Sequence, residues 1–230
     1  MPATTPIRIL MLHGHAESSQ KFTHKTRALR EHITSFLSTT YPNRPVEYTF
    51  LDAPHDTEPC TPDLRTWGLG DFQVDKIRGL EESVKYILDK MAPSGPFDGI
   101  IGFSTGACMA VILGSLLEGG SGKASAKRGS VFNIPPSSNL LAAHPRLKFI
   151  IAYSAFMLGH PMYDQLYTPS LKTPILQYSC ELDHIVPPGL TKALFKRCET
   201  AQLHSFYGTH YVPRSQESFE VVRRFIEEYC

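Results

Sequence analysis

A single α/β domain, built on a mostly parallel, twisted sheet of about six strands with helices on both faces, is the fold this sequence predicts. Three observations predict it. Short, nearly all-apolar runs recur along the 230 residues, most of them alternate with stretches of helical periodicity, and 42% hydrophobic residues suffice for one sizeable core.

Residues 7–12 open the chain as a buried strand that breaks at His13-Gly14. Phe22, Ala28, Leu29, Ile33, Phe36 and Leu37 recur near helical spacing, so a helix is expected over 22–37, and 46–51 returns to strand character before Ala53-Pro54. Val84, Ile87, Leu88 and Met91 mark a helix over 80–91, stopped by Pro93-Ser94-Gly95-Pro96 ahead of a strand over 97–103. An apolar helix over 107–117 follows at once. Residues 119–146, rich in Gly, Ser, Lys and Pro, are expected as an irregular, flap-like excursion beside the carboxyl edge of the sheet. Strands resume beyond it at 147–153 and 174–178, so one domain spans 1–230. A helix over 190–198, a strand near 202–206 and a helix over 216–229 complete the alternation.

Lys and Arg number 23 against 22 Asp and Glu, a net charge of +1, which gives no footprint for nucleic acid or an anionic membrane and leaves a small molecule as the expected partner. The five cysteines (Cys60, Cys108, Cys180, Cys198, Cys230) lack CxxC spacing, arguing against a disulfide framework or a zinc site. No stretch approaches the roughly 18 consecutive apolar residues of a membrane span, and residues 1–6 lack the start of a signal peptide. A soluble, cytoplasmic protein is expected.

Gly102-Phe103-Ser104-Thr105-Gly106 fits G-x-S-x-G, the nucleophile elbow of the α/β-hydrolase fold. Three fixed positions are a weak pattern; the apolar strand entering and the apolar helix leaving supply the context that the elbow requires. A serine hydroxyl needs a base to take its proton and a third group to fix that base's tautomer, and in this fold the order is Ser, Asp or Glu, His. Asp183, in Cys180-Glu181-Leu182-Asp183-His184, and His210, in Gly208-Thr209-His210, follow the last two strands at their carboxyl ends, where open α/β sheets bind ligands. His184 and His204 rival His210 as base; Glu181 and Asp164 rival Asp183; Asp98 enters a strand at the opposite edge and reads as structural. Two backbone donors must hold the oxyanion: the N–H of Thr105, and that of His15 or Ala16 in the loop after the first strand. Phe156, Met157, Leu158, Met162, Tyr163 and Tyr167, with a second cluster at Trp67, Leu69 and Phe72, are expected to line a pocket for an apolar acyl chain. No metal-ligand cluster is present.

These pieces together resemble the fungal family of serine hydrolases often called the FSH family, which includes small esterases and stand-alone polyketide thioesterases. The resemblance rests on Leu12-His13-Gly14, Leu51-Asp52-Ala53-Pro54, Gly95-Pro96-Phe97-Asp98-Gly99 running into Gly102-Phe103-Ser104, Ser154 to Phe156, Asp183 to Pro187 and Gly208 to Pro213. Family members usually carry Gln where this chain has Thr105, and Gly-Gly-His in place of Gly208-Thr209-His210. The resemblance implies a cytoplasmic hydrolase without cofactor, acting on a polyketide or fatty-acyl ester or thioester, free, carrier-protein-bound or CoA-bound. An acyltransferase using the same residues, or a hydrolase fold kept only for binding, are the rival functions.

Overall fold

Six strands run parallel in one sheet: β1 (Ile7–Leu12), β2 (Val46–Leu51), β5 (Gly99–Phe103), β6 (Phe149–Tyr153), β7 (Ile175–Cys180) and β8 (Ala201–Phe206), in the order β2-β1-β5-β6-β7-β8. The computed structural model describes residues 5–57, 63–118, 123–134, 141 and 144–230. Cys60 and parts of the 119–146 excursion lie outside these.

Successive residues of a strand face opposite sides of a sheet, and here both sides are cores, which is why the central strands β5 and β6 read as unbroken apolar runs while the edge strands β2 and β8 carry polar residues. Leu10, Leu12, Ile100, Ile150 and Ala152 pack against α3 (Leu80–Ser94) and α4 (Thr105–Leu117). Ile9, Met11, Ile101, Ile151 and Tyr153 pack with Phe22 of α1 (Ser19–Lys25), Leu29 and Ile33 of α2 (Arg27–Thr40), and Val222 and Phe225 of the last helix (Gln216–Tyr229). Every residue of α4 is buried, matching a helix apolar on all sides. The chain leaves β1 outward to β2, then returns to β5 on β1's other side. That reversal opens a crevice between the loops after β1 and β5, the place where sheets of this kind bind ligands.

Three expectations need correction. The helix over 22–37 is two helices broken at Thr26, whose buried hydroxyl donates to the Phe22 carbonyl at 2.7 Å and competes with the helical ladder. Within the excursion expected as irregular, Lys123–Ser130 is a helix, α5. Arg128 of α5 is buried, pairs with Glu118 at 2.8 Å and donates to the carbonyls of Ser115 and Pro169, while Phe132 and Ile134 enter the core. These anchors lie at the carboxyl end of α4, away from Ser104 at its start. The apolar loop after β6 holds a 3-10 turn, Pro161–Tyr167, and a short ribbon of β3 (His55–Asp56) and β4 (Arg65–Thr66) has no counterpart in the sequence reading.

Candidate active site

Ser104 leaves β5 with φ 54° and ψ −123°, a region non-glycine residues rarely occupy, and α4 starts at the next residue. Its N–H is tied to the Tyr153 carbonyl of β6 at 2.8 Å, and its carbonyl accepts from Ala107 and Cys108. The two flanking glycines are demanded by space. A Cβ on Gly102 would stand 2.4 Å from the Gly106 carbonyl oxygen, and one on Gly106 would stand 2.2 Å from the His13 carbonyl oxygen. The elbow and the loop after β1 are thus in direct contact.

That loop is braced on every side. His13, fully buried, presents Nδ1 to the Gly14 carbonyl at 2.7 Å and accepts the Ala53 N–H on Nε2 at 3.0 Å, which makes it a neutral ring; burial pushes its pKa down. Trp67, also fully buried, packs against His13 with the rings tilted by 34° and centroids 5.1 Å apart, and donates Nε1–H to the His13 carbonyl. The Gly14 N–H is taken by Glu17 at 3.1 Å, and Glu17 pairs in turn with Lys25. Ala16 turns the loop at φ 54°.

Asp183 follows β7 and His210 follows β8. The loops carrying them continue the ladder between those strands, through the Glu181 N–H to the Phe206 carbonyl and the Leu182 N–H to the Gly208 carbonyl. His210 Nδ1 lies 2.7 Å from Asp183 Oδ2. The same oxygen accepts from Ser154 Oγ at 3.1 Å, and Oδ1 accepts the N–H groups of Ile185 and Val186 at 2.9 and 2.8 Å. With its side chain fully buried, Asp183 therefore uses both oxygens as acceptors for four donors, as a carboxylate does. The His210 ring, partly exposed, meets the ring of Phe103, the residue before Ser104, with centroids 4.7 Å apart. The Lys25 ammonium lies 4.3 Å from that Phe103 ring centroid.

The rivals stand elsewhere. Glu181, His184 and Asp164 are exposed, His204 meets the edge of Tyr178 within β8, and Asp98 binds the Arg8 N–H and Lys148 at the opposite end of the sheet.

A cleft of about 190 Å³ opens over Ser104, lined by His15, Thr105, Gly70 to Gln73, Phe156, Ile185 and Val186. Of the residues expected to line an acyl pocket, Phe156 and Phe72 are there. Trp67 is buried behind the His13 loop, and Met157 packs on the core. Met162 and Tyr163 border a separate cleft of about 290 Å³ with Ile77 and Phe132. The hydroxyls of Tyr163 and Tyr167 accept the Ile77 and Leu158 N–H groups, so both tyrosines close the fold. Of the five exposed large hydrophobic residues among those described, Val74, Leu182, Ile185, Tyr207 and Tyr211, Ile185 lines the Ser104 cleft. Two residues of the site were given no role in the sequence analysis: Ser154 entered only within the Ser154 to Phe156 piece of the family resemblance, and Glu17 had no signal.

Residues 2–222 match the serine hydrolase (FSH1) family. The chain belongs to that family. It is 29% identical over 231 residues to a Schizosaccharomyces pombe protein named dihydrofolate reductase, covering 96% of this chain and 47% of that protein, so it spans about half that relative's length. It is 24% identical to esterase OVCA2 of Danio rerio, with 99% of both chains covered. The crystal structure of Zea mays acyl-protein thioesterase 2 superposes with a TM-score of 0.63 at 16% identity, covering 99% of this chain and 95% of that one. The fold is that of an α/β-hydrolase. No helix among the described residues is long and apolar enough to cross a membrane, and no described group of three His, Cys, Asp or Glu side chains could hold a metal ion.

Proposed function

We propose that this FSH-family chain is an esterase or thioesterase that works through an acyl-enzyme, with Ser104 as nucleophile, His210 as base and Asp183 as the group that orients it. The observation that carries the reading is the 2.7 Å contact from His210 Nδ1 to a fully buried Asp183, beside a serine held at positive φ. Nδ1 is engaged, so Nε2 is the nitrogen left to take the Ser104 proton. Ser104 Oγ bonds to the substrate carbonyl carbon as its proton passes to His210. The tetrahedral intermediate then collapses, the imidazolium returns that proton to the departing alkoxide or thiolate, and water repeats the sequence to release the acid and free Ser104.

The oxyanion is assigned to the N–H groups of Thr105 and His15. Both residues line the cleft, whereas Gly14 N–H is committed to Glu17 and Ala16 is not on the lining. The substrate is an apolar acyl ester or thioester of fatty or polyketide character, with Phe72, Phe156 and Val186 as the apolar wall. The thioesterase named among the structural neighbours supports including thioesters, carried by CoA or by a carrier protein. The described cysteines Cys108, Cys180, Cys198 and Cys230 are unpaired, which supports a reducing, cytoplasmic setting. The test is turnover of p-nitrophenyl esters and acyl-CoA thioesters of graded length, with product analysis in the presence of competing alcohols and amines. Free acid as product supports hydrolysis; acylated alcohol or amine as the main product would make the chain a transferase.

A further inference from the structure

We infer that Ser154 is a positioning residue of this active site, holding the Asp183 carboxylate in the orientation that the His210 pair requires. The inference rests on the proposed triad and adds a fourth member to it.

Ser154 directly follows β6 as Ser104 directly follows β5, and the two strands pair in register at Phe103 and Tyr153. Both serines sit at positive φ, 53° and 54°, and each is tied by its N–H to the next strand, Ser154 to the Tyr178 carbonyl at 3.0 Å. A non-glycine residue persists in that backbone region where its surroundings over-determine it, and such positions gather at functional sites. For Ser154 the reward of the unusual backbone is visible. Its side chain, on a residue only 1% exposed, is directed at Asp183 and donates to Oδ2 at 3.1 Å.

Oδ2 is the oxygen that also receives His210 Nδ1. The Ile185 and Val186 N–H groups fix Oδ1, so without Ser154 the carboxylate is held at one oxygen by the protein and at the other by the imidazole alone. The direction of the Ser154 proton follows from its partner, because an ionised carboxylate only accepts and the serine O–H must donate. Cys180 Sγ lies 3.5 Å from Ser154 Oγ and directs its own proton at the Tyr211 carbonyl.

The test compares Ser154→Ala, Ser154→Gly, Asp183→Asn and the Ser154→Ala/Asp183→Asn double variant. Glycine keeps the backbone free at positive φ should alanine fail to fold. Removing a hydrogen bond to a charged group is expected to lower kcat about tenfold or more, with KM nearly unchanged, in both Ser154 variants. The downfield proton resonance of the His210 Nδ1–H, recognised by its loss in His210→Ala, should move further downfield as Oδ2 is left to the imidazole. In the Asp183→Asn background, Ser154→Ala should add little. Wild-type kcat in the Ser154 variants, an unmoved resonance, or losses that multiply in the double variant would overturn the inference. If Asp183→Asn itself keeps full kcat, the triad reading fails first and the role of Ser154 falls with it.

Discussion

His210 Nδ1 stands 2.7 Å from Asp183 Oδ2, and the two loops that carry these residues are joined by backbone hydrogen bonds that extend the β7–β8 ladder past the ends of the strands. The pair is therefore set by the sheet itself. Asp183→Asn should leave a folded protein with kcat reduced by roughly 10⁴ and KM changed far less, because the amide holds the wrong imidazole tautomer. Glu181→Gln and His184→Ala, both at exposed positions, should stay near wild type in the same steady-state assay. A crippled Glu181→Gln beside a mild Asp183→Asn would reassign the orienting acid.

His13 ties pH to stability. Its folded pKa lies below the ordinary value of 6.5, chiefly through burial, so the unfolded chain binds the extra proton first. The contribution is complete above the unfolded pKa and declines as pH falls below about 6.5 towards the lower folded pKa. Denaturant melts between pH 7.5 and 5 should show this decline. His13→Gln, which retains an acceptor for the Ala53 N–H, should be less stable at pH 7.5 yet flatter with pH. An unchanged slope would remove His13 as the cause.

Arg128 anchors α5 through a pair with Glu118 in which both side chains are nearly fully buried. Arg128→Met leaves Glu118 without its cation and should cost about 3–5 kcal/mol, lowering Tm by about 10 °C. Turnover per folded molecule should hold, since α4 separates this pair from Ser104 by about 20 Å. Loss of activity at full stability would instead place the excursion at the catalytic edge.

A cleft of about 190 Å³ is small against the 300–1,000 Å³ usual for ligand pockets, so a long acyl chain is expected to emerge past Ile185, a lining residue exposed at 62%. Ile185→Gln should lower kcat/KM for long-chain esters several-fold while sparing acetyl and butyryl esters, at about 0.8 kcal/mol per methylene no longer sheltered. Equal effects at all chain lengths would place the chain on another path.

The alternation of strands and helices was legible because buried parallel strands are apolar on both faces and punctuated by Gly and Pro. The three candidate chemical groups were legible because the order Ser, Asp, His maps onto loops at one edge of the sheet. The acyl wall was misread for a physical reason: Trp67, Tyr163 and Tyr167 are aromatic whether they line a cleft or close a core, and only their polar atoms distinguish the two. Trp67 Nε1 and the tyrosine hydroxyls bond to backbone groups inside the fold. Thr26 and Arg128 were invisible for a related reason, since a threonine within helical periodicity or an arginine within a Gly/Ser-rich stretch gains its meaning from one distant partner.

The central claim is that Ser104 forms the acyl-enzyme, and its most direct test is intact-mass and peptide mapping after reaction with an active-site-directed fluorophosphonate. One adduct per chain is expected, on Ser104, with neither adduct nor turnover in Ser104→Ala; a stoichiometric adduct on another serine, or turnover surviving in Ser104→Ala, would contradict the account.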